Sequence, residues 1–199
     1  MEYIISAIIG YLFGCVNTAY IVAKLKGINI KKTGTTNAGA SNVFISVGKI
    51  YGVFAAIGDV LKSFIAAELM YLIFDNFEAG IIAGGMAVIG HIFPFWIKFN
   101  GGKGLASLMG LILFYDFWAC FFTFLFLIAV TLITDFIALG SLSVATVMTI
   151  YVCMFDERSV ILPVFIILTI IIWFKHRENI VRIKNKTEIG FLRKNKYKK

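Results

Sequence analysis

The feature that most constrains this sequence is a succession of apolar runs, several of which reach the length of a membrane-crossing helix. Such a helix needs about 20 apolar residues. Hydrophobic residues make up 60% of the 199-residue chain and charged residues 15%, whereas soluble domains carry about 25% charged residues. These values exclude a secreted disulfide scaffold, a disordered chain and an ordinary cytosolic domain. They predict an all-α polytopic membrane protein.

The apolar runs set the expected domain organisation. They cover residues 3–23, 50–74, 79–97, 105–115, 117–133, 136–155 and 159–174. The fourth run is too short for an upright span, so we expect it to begin inside the preceding loop or to be partly re-entrant. Residues 24–49 are expected to form a polar, glycine-bearing loop, and Pro94 is expected to kink the end of the third run. The sequence thus predicts about seven transmembrane helices in a single domain, residues 1–199.

The distribution of basic residues orients this bundle. The net charge is +8, which in a membrane protein indicates attraction to anionic headgroups or phosphates rather than to nucleic acid. With the N-terminus outside, the loops at 24–49 and 98–104 and the basic tail at 175–199 all lie in the cytoplasm. They hold every one of the 19 lysines and arginines except Lys62 and Arg158. The positive-inside rule therefore predicts an external N-terminus and a cytoplasmic C-terminus.

Cysteine and histidine usage argues against a metal or disulfide framework. Cys15, Cys120 and Cys153 each lie in or beside an apolar run without a CxxC partner, as small buried hydrophobes do. His91 and His176 are the only histidines, too few for a multi-histidine centre. His91 lies on an apolar helix and is interpreted as a packing or hydrogen-bonded residue.

Two ionisable residues fall inside the second apolar run. Asp59 and Lys62 are three positions apart, and such groups within a membrane usually face the bundle interior and pair. They are expected to form a structural ion pair or to support a site above them.

Three polar stretches share the predicted cytoplasmic side. The first, residues 33–42, is rich in hydroxyl and amide side chains, and Gly34 and Gly39 allow tight turns. Its amides could form an anion-binding nest, or the stretch could be a solvated loop that caps helices. The second, residues 90–104, ends in Gly-Gly-Lys-Gly at the start of a helix. Free N–H groups, the positive helix end and Lys103 suit a phosphate, although the Walker spacing is absent.

The third stretch, residues 175–179, contains His176 and Asn179 on one face of a helix. A histidine there could act as a base near neutral pH. Alternatively, the stretch is a basic girdle in which the histidine is incidental.

Together these stretches resemble the bacterial acyl-phosphate:glycerol-3-phosphate acyltransferases, the PlsY family. The resemblance rests on G-x-x-N-x-G-A-S-N at residues 34–42, G-H-x-x-P followed by G-G-K-G at residues 90–104, and H-R-E-N-I at residues 176–180. It spans nearly the whole chain.

The resemblance implies a multi-pass enzyme of the bacterial plasma membrane. Its substrates would be acyl phosphate and sn-glycerol 3-phosphate, its products lysophosphatidic acid and phosphate, and its surroundings membrane lipids, with no cofactor and no metal. The implied catalytic residues are Thr35, Lys103 and His176. The implied substrate-binding residues are Asn37, Gly39, Asn42, Gly101, Gly102, Ser141 and Asn179.

The first motif also departs from the family pattern. Thr36 stands where the family has a glycine, which is expected to remove access to positive φ, and Ile45 or Ser46 stands where it has a basic residue. These departures keep two alternatives open. One is a non-catalytic paralogue that retains the fold. The other is a transporter or binding protein for a phosphorylated metabolite, although such proteins often show repeated halves and no clear repeat stands out here.

Overall fold

The apolar runs fold as helices. The computed structural model describes residues 1–192, which form nine α-helices and a 3₁₀ turn at Phe95–Ile97. The helices are α1 (Glu2–Cys15), α2 (Thr18–Leu25), α3 (Ala40–Ser46), α4 (Lys49–Phe74), α5 (Phe77–Ile92), α6 (Leu105–Tyr115), α7 (Phe117–Thr134), α8 (Ile137–Phe155) and α9 (Ile161–Lys184). The prediction of an all-α membrane protein is confirmed.

Length and composition identify the helices that can cross a bilayer. In the described part of the chain, five segments qualify: Glu2–Leu25, Lys49–Phe74, Phe77–Ile97, Phe117–Thr134 and Ile137–Phe155. Helix α6 is apolar but has only 11 residues. Helix α9 continues ten residues beyond the predicted end of the last apolar run, so the basic segment from Lys175 onward begins as helix. Five basic residues of the predicted tail, Arg193, Lys194, Lys196, Lys198 and Lys199, lie outside the described residues.

The first apolar run is not one continuous helix. It is interrupted at Val16 and Asn17, between α1 and α2, although Glu2–Leu25 together have the length and hydropathy of one membrane span, as predicted. The Asn17 side-chain oxygen accepts a hydrogen bond from the Tyr20 N–H at 2.8 Å, and its amide nitrogen donates to the Ala38 carbonyl at 3.1 Å. An asparagine that bonds to backbone groups competes with the helix and caps the next one.

Two long-range donors satisfy the carbonyls that the interruption frees. The Trp96 indole N–H donates to the Cys15 carbonyl at 2.6 Å, and the Lys62 ammonium donates to the Val16 carbonyl at 2.8 Å. Within a membrane an interrupted helix is tolerated where other protein groups take up its backbone hydrogen bonds. Lys62 and Trp96 do so here.

The chain divides into two compact units, Met1–Tyr115 and a second that begins at Asp116. In the first unit, α1 and α5 approach backbone to backbone. A Cβ atom on Gly10 would overlap Ala83, and one on Gly14 would overlap Ala87. Small residues allow this close contact between apolar helices, where dispersion rather than the hydrophobic effect favours association.

The polar stretch after α2 contains more structure than predicted. Residues 24–49 include the short helix α3, so their interpretation as a loop alone is wrong. Beneath this stretch lies a cluster of buried apolar residues, Ala19, Ala23, Ile30, Ala38, Val43 and Ala55. Helix α5 ends at Ile92, before Pro94 begins the 3₁₀ turn, as expected from the proline.

In the second unit, α8 and α9 run antiparallel and are joined by hydroxyl groups. The Thr149 and Thr169 hydroxyls are 2.7 Å apart, and the Trp173 indole N–H donates to the Thr146 hydroxyl at 3.1 Å. Continuing this antiparallel register toward the start of α8 puts Ser141 at the level of His176.

Candidate active site

The first polar stretch is organised around the side chain of Asn42, which is fully buried. Its oxygen accepts hydrogen bonds from the Thr35 backbone N–H at 2.9 Å and from the Ser46 hydroxyl at 3.0 Å. Its nitrogen lies within 3.0 Å of three backbone carbonyls, those of Ile30, Thr33 and Asn37. Both polar atoms of the amide are therefore bonded within this segment, and Asn42 determines the shape of the loop.

The backbone of this loop turns through two residues with positive φ, Gly34 at 60° and Thr36 at 59°. The expectation that a threonine at position 36 excludes positive φ is wrong. Glycine reaches this region without a steric penalty, whereas a β-branched residue is strained there. The hydrogen bond from the Thr35 N–H to Asn42 is one contact that helps to hold the turn in place.

The Gly-Gly-Lys-Gly stretch packs against the end of α5. The Gly101 N–H donates to the Ile92 carbonyl at 3.0 Å, and the Gly102 N–H donates to the His91 carbonyl at 3.1 Å. The expectation that these two N–H groups are free is therefore wrong, because both are bonded within the protein. A Cβ atom on Gly101 would overlap the His91 carbonyl, and one on Gly102 would overlap the His91 ring. Close packing thus explains both glycines.

Lys103 directly follows this packed pair and precedes Gly104, whose φ is 98°. Its side chain is half-buried. Helix α6 starts immediately afterwards, and its first internal hydrogen bond runs from the Leu108 N–H to the Gly104 carbonyl at 2.8 Å. The structure therefore agrees with the prediction that Gly-Gly-Lys-Gly opens a helix, and it places a lysine beside the positive end of that helix.

The first two polar stretches meet within the first unit. A Cβ atom built on Gly39 would lie 4.0 Å from the Gly102 Cα atom and 2.8 Å from the Asn37 side-chain nitrogen. The Lys31 ammonium also donates to the Asn100 carbonyl. Asn37 and Gly39 thus lie next to the loop that carries Lys103. Basic, amide and hydroxyl groups together on one small surface suit an anionic ligand.

Beneath this surface, Asp59, Lys62 and His91 form a buried cluster. The Lys62 ammonium is 2.8 Å from an Asp59 carboxylate oxygen and 2.9 Å from His91 Nδ1. The predicted Asp59–Lys62 ion pair is therefore confirmed. His91 agrees with its interpretation as a hydrogen-bonded residue inside the protein.

In the second unit, helix α9 carries His176 and Asn179, both of them buried. The His176 Nδ1 atom is 2.8 Å from the Ile172 carbonyl. A carbonyl can only accept, so Nδ1 carries a proton, and in the neutral form of the ring Nε2 is then the acceptor. This tautomer is the one that a proton-accepting histidine requires.

A carboxylate that sequence reasoning missed holds Asn179. The Asn179 amide nitrogen donates to one oxygen of Glu188 at 2.6 Å, and Arg182 Nε donates to the other at 2.5 Å. Because Glu188 follows the end of α9 and folds back on it, no periodic pattern marks this contact. Ser141 is buried on α8, and its hydroxyl donates to the Ile137 carbonyl at 2.9 Å.

Comparison with known proteins identifies the family. A family model described as glycerol-3-phosphate acyltransferase matches residues 4–186. The chain belongs to this family. A glycerol-3-phosphate acyltransferase of Bacillus velezensis is 40% identical over 188 residues, covering 91% of this chain and 93% of the relative. Another, from Thermosipho melanesiensis, is 38% identical over 191 residues, covering 94% of this chain and 92% of the relative.

Solved structures of the glycerol-3-phosphate acyltransferase family share this fold. PlsY, an integral membrane glycerol 3-phosphate acyltransferase, matches in its glycerol 3-phosphate form with a TM-score of 0.89 at 30% identity, covering 96% of both chains. Its lysophosphatidic acid form matches with a TM-score of 0.86, also at 30% identity, and covers 96% of this chain and 97% of PlsY.

In the three polar stretches, the sequence motifs identified the segments but not the residues that hold them in place. Asn17 and Lys31 bond to partners 21 and 69 positions away, and Glu188 reaches Asn179 only because the chain folds back after α9. Their residue types are common in loops and caps, so nothing in the local sequence distinguishes them. Asp59 and Lys62 were found because their spacing puts them on one face of a helix in an otherwise apolar run.

Proposed function

We propose that this protein transfers a fatty acyl group from acyl phosphate to the 1-hydroxyl of sn-glycerol 3-phosphate, giving lysophosphatidic acid and inorganic phosphate, the entry step of bacterial phospholipid synthesis. The observation that carries the proposal is the match over 96% of the chain to PlsY in its glycerol 3-phosphate form. The choice of acyl phosphate as donor rests on the resemblance of the three motifs to the PlsY family.

The chemistry fits the residue types in the two units. Acyl phosphate is a mixed anhydride, so phosphate is already a good leaving group and no covalent nucleophile is required. The enzyme has to hold two anions, align a hydroxyl with the acyl carbonyl and stabilise the charge that develops on the carbonyl oxygen. Hydrogen-bond donors and cations perform these tasks.

Within the first unit, we assign Lys103 as the cation that holds phosphate. Asn37 and Gly39 line the substrate surface next to Lys103, and Thr35 contributes a hydroxyl at the edge of this surface. Gly101 and Gly102 contribute by bringing the Lys103 backbone against α5. Asn42 keeps this loop in shape, because its amide is hydrogen-bonded to five groups between Ile30 and Ser46.

Within the second unit, we assign His176 as the group that orients or deprotonates the glycerol 3-phosphate hydroxyl. The hydroxyl oxygen attacks the acyl carbon and its proton moves to Nε2. The bond between the acyl carbon and the phosphate oxygen then breaks, and phosphate leaves. Asn179 and Ser141 are assigned to substrate binding beside His176. The hydrogen bond from Nδ1 to Ile172 supports this role, because it leaves Nε2 as the basic atom.

We further propose that the chain acts as one acyltransferase domain in the bacterial plasma membrane, surrounded by membrane lipids. It would cross the membrane seven times, with the N-terminus outside and the C-terminus in the cytoplasm. The five long apolar segments account for five crossings, and α6 and the apolar part of α9 supply two more. The basic residues concentrated on one side support this orientation.

The decisive experiment is an assay of the purified protein with acyl phosphate and glycerol 3-phosphate, following lysophosphatidic acid. Removing a general base is expected to lower kcat by about 10²-fold or more in His176→Ala. Lys103→Ala should raise the KM for glycerol 3-phosphate by about tenfold or more, because an electrostatic contact to phosphate is lost. Lys98→Ala, an exposed lysine of the same loop, is the matched control and should stay within about twofold of the wild type.

The same preparation separates the alternatives. Wild-type protein that is folded but produces no lysophosphatidic acid contradicts the proposal. Uptake of glycerol 3-phosphate into proteoliposomes without acyl transfer would then indicate a transporter. Failure of both assays, together with failure to complement an acyltransferase-deficient strain, would indicate a non-catalytic paralogue.

A further inference from the structure

The buried cluster between α4 and α5 consists of three ionisable side chains. Asp59 is 1% exposed, Lys62 7% and His91 3%. All three lie within segments long and apolar enough to span a membrane. Ionisable groups in such positions are expensive to bury and are usually tied to function. An ion pair that served stability alone could be replaced by apolar residues at little loss.

Lys62 is the centre of this cluster. Its ammonium group has three hydrogens, and three acceptors surround it: Asp59 Oδ1 at 2.8 Å, His91 Nδ1 at 2.9 Å and the Val16 carbonyl at 2.8 Å. His91 Nδ1 also lies 3.3 Å from Asp59 Oδ1, so this one ring nitrogen faces both members of the ion pair. The two contacts fix the orientation of the ring.

The opposite side of the His91 ring lies against the Gly101–Gly104 loop. Nε2 faces Gly102 so closely that any Cβ atom there would overlap the ring. The His91 carbonyl also accepts the hydrogen bond from the Gly102 N–H at 3.1 Å. Both the side chain and the backbone of His91 therefore define where Gly102 lies, and Lys103 is the next residue.

We propose that Asp59, Lys62 and His91 form a positioning network that sets the place of the Gly101–Gly104 loop and, through it, of Lys103. The network acts through Gly102 and does not itself touch the substrate. Lys62 also couples it to the interruption between α1 and α2, where Asn17 bonds to Ala38 of the first polar loop. The Lys62 ammonium group thus holds both His91, which supports the Gly101–Gly104 loop, and the interruption between α1 and α2, which supports the first polar loop. The inference rests on the proposed function, since Lys103 matters only where phosphate is bound.

Two variants of His91 of similar size separate positioning from packing. In His91→Asn, the amide oxygen lies near the position of Nδ1 and can accept from Lys62. In His91→Gln, the amide reaches the position of Nε2 and the acceptor facing Lys62 is lost. We expect His91→Gln to raise the KM for glycerol 3-phosphate by about tenfold with a smaller change in kcat, and His91→Asn to stay within about threefold of the wild type.

A double variant tests the ion pair in the same way. Lys62→Met alone leaves the Asp59 carboxylate buried and uncompensated, which is strongly destabilising. Asp59→Asn combined with Lys62→Met removes both charges, so the folded yield should recover. If the network positions the loop, the KM for glycerol 3-phosphate stays raised by about tenfold in this double variant. Glu68→Gln, which removes another ionisable group of α4, is the matched control and should leave KM unchanged.

A second readout does not depend on catalysis. The Gly101 and Gly102 amides are hydrogen-bonded to α5, so hydrogen exchange of a peptide spanning residues 98–104 reports whether the loop stays in place. Exchange there should accelerate in His91→Gln and in the double variant, while peptides from α7 and α8 stay unchanged. Variants that are folded, keep the wild-type KM and show unchanged exchange in this loop would overturn the proposal. An inactive wild-type protein would contradict the proposed function alone, because the exchange measurement still decides on the network.

Discussion

Thr36 shows how one residue can adopt a backbone conformation that its chemistry disfavours. Its φ of 59° lies in the left-handed region, where an L-residue is destabilised by about 1–2 kcal/mol. Neighbouring contacts keep it there: the Thr35 N–H is held by Asn42, and the Thr36 hydroxyl donates to the Thr35 carbonyl at 2.7 Å. The turn is thus determined by Asn42 and Gly34 rather than by position 36.

Replacing Thr36 by glycine should stabilise the protein. Glycine avoids the left-handed penalty but loses about 0.5–1 kcal/mol through its larger entropy in the unfolded chain. The net gain is expected to reach about 1 kcal/mol, or about 2–4 °C in the thermal unfolding midpoint. Purified Thr36→Gly and Thr36→Ala should be compared in detergent. Alanine keeps the Cβ atom and should gain less, so a midpoint lower for Thr36→Gly than for Thr36→Ala would contradict this account.

Single residues also show what the sequence could not predict about the site. The motifs assigned Gly101, Gly102 and Asn42 to substrate binding, which stays a prediction, and the structure shows that the glycines pack against α5 and that Asn42 shapes its loop. A glycine that gives a ligand access to the backbone and a glycine that fits against a histidine ring look alike in a sequence. The partner of Gly102, His91, lies eleven positions away and cannot be inferred from spacing.

The interruption between α1 and α2 is the element that most departs from the predicted pattern. The apolar period continues through it, so length and hydropathy alone predict one helix. What ends α1 is a set of partners that arrive from elsewhere: Ala38 for Asn17, Trp96 for the Cys15 carbonyl and Lys62 for the Val16 carbonyl. The long helices α4, α7 and α8 were predictable because each follows from its own composition.

Asn17→Ala should weaken this junction. The variant loses the cap on α2 and leaves the buried Ala38 carbonyl without its donor, so the free energy of unfolding should fall by about 1–3 kcal/mol. Denaturant or thermal unfolding in detergent measures the loss. Asn29→Ala is the matched control, because Asn29 is exposed and its side chain bonds only locally, to the Lys31 N–H at 3.1 Å. Equal stability of the two variants would show that the cap contributes nothing.

At the scale of the whole molecule, composition predicted the class of protein and the three motifs predicted its family, while the orientation inferred from the basic residues stays a prediction. The division after Tyr115 into two units had no counterpart in the sequence, because Asp116 reads as an ordinary turn residue. The structure shows it capping α7, with its carboxylate accepting from the Ala119 N–H at 2.5 Å.

The proposed topology has a direct test in cysteine accessibility. In a background without the three native cysteines, Asp116→Cys and Glu157→Cys should react with a membrane-impermeant maleimide in intact cells. Lys98→Cys and Lys186→Cys should react only after the membrane is opened, as cytoplasmic positions do. The pair at 98 and 116 decides whether the 11-residue helix α6 crosses the bilayer. Labelling of both positions from the same side would exclude seven crossings.

The two donors that bond to the free carbonyls of the first segment affect the order in which the protein can assemble. Lys62 follows Val16 by 46 positions, and Trp96 follows Cys15 by 81. Translation delivers the N-terminal part first, so the two unpaired carbonyls emerge from the ribosome long before either donor exists. The final hydrogen bonds of the interruption can therefore form only when the third apolar segment has left the translocon. Until then, water, lipid headgroups or a transiently continuous helix must satisfy those carbonyls.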